Sequence, residues 1–123
     1  MRVTFFGAAG AVTGSGYLCE TDRTRVLVDF GLHQGEKEAA EHNRMPERLD
    51  ASRLECVVLT HAHIDHCGRL PMLVPEGFKG PIWATPATID LVDILLRDTA
   101  NLMQQDADRA ARRGEAANGF SKP

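Results

Sequence analysis

The stretch Leu54-Glu55-Cys56-Val57-Val58-Leu59-Thr60-His61-Ala62-His63-Ile64-Asp65-His66 couples an apolar run to a dense set of ligand-type side chains. Three of the chain's five histidines and one carboxylate fall within residues 61–66. Residues 54–60 read as a buried strand, so these ligands are delivered at a strand end, where the backbone is held rigidly. Imidazole and carboxylate suit zinc and related divalent ions, and a close-set group of them holds one or two. A polar loop after a strand accounts for one histidine there, but not for three with an aspartate at this spacing.

Working outward, the chain of 123 residues is 43% hydrophobic and 25% charged, as expected of one soluble domain long enough to bury a core. A net charge of -3 gives no global basic field, so nucleic-acid contact requires a local patch. Cys19, Cys56 and Cys67 are odd in number, lack a C-x-x-C spacing and lie in or beside apolar segments. That is the pattern of reduced thiols in a cytoplasmic protein, with no disulfide expected. The apolar run within Met1–Gly7 is too short for a signal peptide and no segment approaches spanning length, so no membrane partner is expected.

Upstream of the opening stretch, residues 2–6 are rich in β-branched and aromatic types and predict a strand ending at Gly7. Ala8 to Gly16 carries Gly10, Gly14 and Gly16, a loop with room for close backbone approach. It matches neither the dinucleotide fingerprint nor the P-loop, which argues against a nucleotide site. Tyr17–Glu20 and Thr24–Asp29 predict a hairpin turning at Thr21-Asp22-Arg23. Asp29 closes the second of these strands. A carboxylate there needs hydrogen bonds, supplied either by turn amides or by a metal-bound histidine whose tautomer it would fix. Residues 32–52 are polar and irregular, with a short helix over 36–43 and a break at Met45-Pro46. His33 and His42 lie here; neither is assigned as a ligand, although His33 is near enough to Asp29 to line the same cleft.

Downstream, Cys67 to Val74 predicts a short helix with Pro71 in its first turn, abutting the histidine motif. Pro81–Ala84 predicts a strand. Thr85-Pro86 then opens the longest helix, with Thr85 as N-cap. Ile89, Leu91, Val92, Leu95, Leu96, Leu102 and Met103 give it a broad apolar face, after which charged and alanine residues run to Gly114 as a solvated end. The acids among Asp106, Asp108, Arg109, Arg112 and Arg113 favour a solvated face over an RNA-contacting one.

Taken together, Asp29 after one strand, Thr60 to His66 after another and Gly68-Arg69-Leu70-Pro71 beyond it resemble the metallo-β-lactamase superfamily. Phe6-Gly7-Ala8-Ala9, Val12-Thr13-Gly14-Ser15, Asp29-Phe30-Gly31, Gln34-Gly35 and Gly80 to Thr85 narrow the resemblance to its β-CASP RNA-processing nucleases. The resemblance implies an α/β fold, a mixed β-sheet with flanking helices, forming the N-terminal half of an αββα sandwich. Residues 1–115 would be the partial metallo-β-lactamase-like domain and 116–123 a tail or linker. By resemblance, His61 and His63 hold a first zinc ion and Asp65 and His66 a second. Asp65 also orients the attacking water, and Asp29 orients the motif. RNA is the implied substrate of a complete enzyme.

The family's further ligands, a third histidine, a bridging aspartate and a last histidine, come from downstream segments. No histidine follows His66 in this sequence. Two protein ligands per ion falls short of the three that catalytic zinc sites keep, so the expectation is half a dinuclear site, with partial or single-ion occupancy and doubtful activity alone. The open sheet is expected to be covered by a second copy of the chain or by a C-terminal half. A non-catalytic binding or oligomerising module, and a hydrolase of thioesters or lactams, remain as alternatives.

Overall fold

The computed structural model describes residues 1–35 and 39–114. Five strands form one sheet in chain order: β1 (Arg2–Phe5), β2 (Tyr17–Glu20), β3 (Arg25–Val28), β4 (Cys56–Val58) and β5 (Ile82–Trp83). The first three run antiparallel, while β3, β4 and β5 are parallel. The hairpin between β2 and β3 turns where expected. Thr24 N donates to Thr21 Oγ1 (3.0 Å) and Thr21 N donates to Thr24 O (2.9 Å), so one threonine satisfies the turn with its side chain and its backbone.

Three helices accompany the sheet: α1 (Ala39–His42), α2 (Ile64–Cys67) and α3 (Pro86–Arg112). Short 3-10 turns lie at Ala51–Arg53 and Leu70–Leu73. Strand alternation sorts side chains to two faces. The register row Leu18, Leu27, Val57 points to the covered face. There it joins Phe30, Leu54, Leu59, Cys67, Leu70, Leu73 and Phe78, with Val92 and Leu96 of α3 packed against it.

Two expectations are corrected, and a third is met only in part within the described residues. The predicted helix over residues 67–74 is two pieces. One turn, α2, starts earlier, inside the histidine motif, and a separate 3-10 turn follows with Pro71 near its start. Pro71 has no N–H to give and its ring would crowd the Cys67 carbonyl, so α2 cannot run through it. The broad apolar face of α3 is only partly used, since Ile89, Leu91 and Leu102 are 52%, 55% and 53% exposed. A helix of 27 residues is about 40 Å long, whereas four-residue strands span about 13 Å, so α3 overhangs the layer it packs on. The helix predicted from residue 36 is seen at Ala39–His42; residues 36–38, like the boundary at 115/116 and the tail 116–123, lie outside the described residues.

The start of α3 is as the sequence predicts. Thr85 is extended, its hydroxyl accepts from Thr88 N (3.3 Å), and Pro86 sits in the first turn. No described helix is long and apolar enough to cross a membrane.

Candidate metal centre

The parallel strands β3 and β4 end side by side, Val28 opposite Val58. The chain leaves β3 through Asp29 and leaves β4 through Thr60 and His61, so topology alone brings residues 31 positions apart together. Asp29 N donates to Val58 O (2.9 Å) and Asp29 adopts φ 59°, a left-handed conformation that aspartate tolerates better than most residues. The turn aims its carboxylate, only 2% exposed, at the start of the motif.

Both oxygens of that carboxylate are engaged. Oδ1 accepts from Thr60 N (2.8 Å), and Oδ2 accepts from Thr60 Oγ1 (2.7 Å) and faces His66 Nδ1 at 2.8 Å. Asp29 therefore satisfies a turn amide and a histidine at once, one on each oxygen. A proton on His66 Nδ1 leaves Nε2 with its lone pair, as a metal ligand requires.

A second set of contacts holds the motif backbone. The carbonyls of Ile64, Asp65 and His66 accept from Leu32 N (3.0 Å), Ser15 N (2.9 Å) and Phe30 N (2.8 Å). The segment after β3 and the glycine-rich loop after β1 thus clasp α2 from two sides. Gly31 lies so close that a side chain there would drive into the Asp65 backbone. This gives the glycine-rich loop a role that its failed nucleotide match did not disclose: Ser15 hands an amide to the motif and its carbonyl receives Gly31 N (2.8 Å).

Beneath the clasp sits Arg69, fully buried. Its guanidinium donates to the carbonyls of Gly31, His42 (3.2 Å), Phe6 (3.2 Å) and Gly14 (3.4 Å) and stacks 4.2 Å above the Phe30 ring. Burial pushes its pKa down to about 10, still far above neutrality, so a charged group ties the β1–β2 and β3–β4 connections together through four of their carbonyls. Sequence reading gave Arg69, Thr60, Ser15 and Gly31 no role. Of these, only Thr60 carried a local signal, its place between the strand and the first histidine.

The rings of His61 and His63 lie 4.7 Å apart, centroid to centroid, and those of His61 and His66 lie 4.0 Å apart. Asp65 Oδ2 is 3.5 Å from His66 Nε2. The four residues singled out by the sequence are therefore gathered at one strand end, with His63 exposed and the other three partly buried. In donor chemistry and in the hydrogen bonding of His66 they fit a divalent ion. Among the described residues, however, no group of three or more His, Cys, Asp or Glu side chains is already arranged to hold one.

His33 does not share the space around Asp29. It lines a separate cleft of about 490 Å³ with Phe6, Gly7, His42, Met45 and Arg69. Its backbone is fixed there by a reciprocal pair with Asn43, which accepts from His33 N (2.6 Å) and donates to His33 O (3.0 Å).

The metallo-beta-lactamase superfamily model matches residues 9–110. Ribonuclease TTHA0252 of Thermus thermophilus is 47% identical over 105 residues, 85% of this chain and 24% of that protein. The transcription termination factor FttA of Thermococcus kodakarensis is 40% identical over 106 residues, 80% of this chain and 16% of that protein. The chain thus spans a quarter or less of these relatives. Among solved structures, human tRNase Z short form superposes with a TM-score of 0.53 at 24% identity, covering 81% of this chain and 41% of that one. A Cronobacter sakazakii metallo-beta-lactamase with a HARLDQ motif gives 0.51 at 22% identity, over 70% and 30%. Both share the fold. With its mixed sheet, its histidine motif at the end of β4 and a family match over most of its length, the chain belongs to the metallo-β-lactamase superfamily and, within it, to the β-CASP group of these relatives.

Proposed function

We propose that the chain carries the first half of the metal centre of a zinc-dependent phosphodiester hydrolase acting on RNA in the cytoplasm. The observation that carries this reading is the buried Asp29 carboxylate bonded to His66 Nδ1, which leaves Nε2 of that ring for a metal. The ribonuclease and termination-factor relatives supply the substrate class. His61 and His63 would serve one ion, and Asp65 and His66 the other. Zinc in such a site supplies Lewis acidity to a phosphoryl oxygen and acidity to a water. Asp65, partly exposed and 3.5 Å from His66 Nε2, would orient that water and take its proton. Four ligands are too few for two catalytic ions, so the remaining ligands come from segments beyond these 123 residues.

Hydrolysis of an end-labelled RNA by the chain alone, and by the chain joined to the downstream segment of its ribonuclease relative, tests this. Activity is expected only in the joined form and is lost in Asp65→Asn. Full RNase activity with two zinc ions in the chain alone would contradict the half-site, and a preference for thioester or lactam over RNA would move the reading to another hydrolase.

One observation favours a second reading, an oligomerising or binding module. On the sheet face away from the core, Val3, Phe5, Val58 and Trp83 are 41%, 60%, 37% and 63% exposed. Sedimentation decides whether a second copy covers this face. A stable monomer counts against it.

A further inference from the structure

The hydroxyl of Thr60 stands between two groups that compete for it. It lies 2.7 Å from Asp29 Oδ2 and 2.9 Å from His61 Nδ1. A hydroxyl has one proton to give and lone pairs to accept with, whereas a carboxylate only accepts. If the proton pointed at His61, two oxygens would face each other at 2.7 Å with no hydrogen between them, the exposed Thr60 turning its oxygen to a carboxylate that is itself only 2% exposed. The proton therefore goes to Asp29. The lone pair left on Oγ1 faces His61 Nδ1, which must carry a hydrogen to meet it.

From this geometry we infer that Thr60 is a positioning residue that relays the Asp29 carboxylate to His61, fixing that ring as the Nδ1–H tautomer with Nε2 unprotonated. His66 receives the same instruction directly, through Nδ1 at 2.8 Å from Asp29 Oδ2. One buried carboxylate thus sets two rings whose centroids are 4.0 Å apart, one by contact and one through a hydroxyl. The consequence deepens the metal reading above and rests on it: an unprotonated Nε2 on both rings removes a tautomer change from the work of binding an ion. Valine has the shape of threonine without the hydroxyl. In Thr60→Val the amide still donates to Asp29 Oδ1, while the relay is cut.

The test is long-range ¹H–¹⁵N NMR of the histidine rings in the full metal-free chain at about pH 8.5, two units above the ordinary imidazole value. Wild type is expected to show Nδ1–H at both His61 and His66. Thr60→Val is expected to move His61 to Nε2–H, the form an imidazole favours when only water faces it, with His66 unchanged. Thr60→Ser is expected to restore His61. Nε2–H at His61 in wild type, or Nδ1–H persisting in Thr60→Val, would overturn the inference. Should Thr60→Val fail to give a folded amide spectrum, the wild-type and Thr60→Ser tautomers decide it without that variant. Zinc titration of the same samples is a separate readout: Thr60→Val is expected to bind about 10-fold more weakly, with Thr60→Ser near wild type. The tautomer switch with unchanged zinc affinity would support the relay and contradict His61 as a ligand, so the two failures are distinguishable.

Discussion

The two faces of the sheet are built from the same strands by the same alternation, yet only one is finished by this chain. On one face Leu18, Leu27 and Val57 lie under Phe30, Cys67 and Leu73, and most of these side chains are wholly buried. On the other, the register rows Val3–Cys19–Val26–Cys56 and Phe5–Tyr17–Val28–Val58–Trp83 are just as apolar and meet no second layer among the described residues. Phe5 and Tyr17 pack edge to face across that surface, 5.5 Å apart, without being covered. The candidate metal centre repeats the contrast. The side of the motif facing the core is hydrogen-bonded through Asp29, Thr60, Ser15 and Phe30, while the side facing outward presents the exposed His63, and no complete ligand group forms around it among the described residues. A face and a site are each completed toward the core and left open away from it.

Substitution of neighbours in one strand sharpens the contrast most. Val57→Asp puts an unpaired carboxylate into the finished face and is expected to unfold the chain, a cost of at least about 4 kcal/mol. Val58→Asp, one residue along, is expected to cost under about 1 kcal/mol. Urea unfolding followed by circular dichroism measures both, and equal losses would mean that the second face is not open. Next in size is Arg69→Met, which strands the carbonyls of Phe6, Gly14, Gly31 and His42. A loss of about 3 kcal/mol is expected, with loosening of the clasp read as faster amide exchange at Ser15 and Phe30. Gly31→Ala comes third. Its methyl meets the Asp65 backbone, so about 1–3 kcal/mol is expected together with weaker zinc binding.

The smallest effect concerns the thiols. Cys19 and Cys56 lie on the open face and Cys67 is buried on the finished one, so an aromatic disulfide reagent should label the first two well before the third. Burial, reinforced by the charges of Asp29 and Asp65, raises the Cys67 thiol from 9.0 to about 11. Between those values the unfolded chain releases a proton that the folded chain keeps. This contribution to stability is complete below pH 9 and is lost as pH rises toward 11. Cys67→Ala should flatten that slope, and an unchanged slope would place its origin elsewhere.

How much of this was legible beforehand divides along the same line. Strand positions, the Thr21 turn and the Thr85 cap were readable because each depends on residues a few positions apart. The gathering of Asp29 with the histidine motif followed from the family resemblance. The clasp did not, since Ser15 meets Asp65 and Arg69 meets Phe6 across separations that no local pattern encodes. Nor did the sequence disclose which apolar residues go uncovered. Val57 and Val58 are chemically identical, and only their register sends one to 0% and the other to 37% exposure. The face of α3 was overestimated for a similar reason: periodicity reports an apolar stripe, but the length of the layer beneath decides how much of it is buried.

On the function proposed above, the chain carries half of a dinuclear centre, oriented on one side and open on the other. Calorimetric zinc titration of the isolated chain tests this most directly. Weak binding, or a single ion, depending on His61, His63, Asp65 and His66, is expected; two tightly held ions per chain would overturn the half-site.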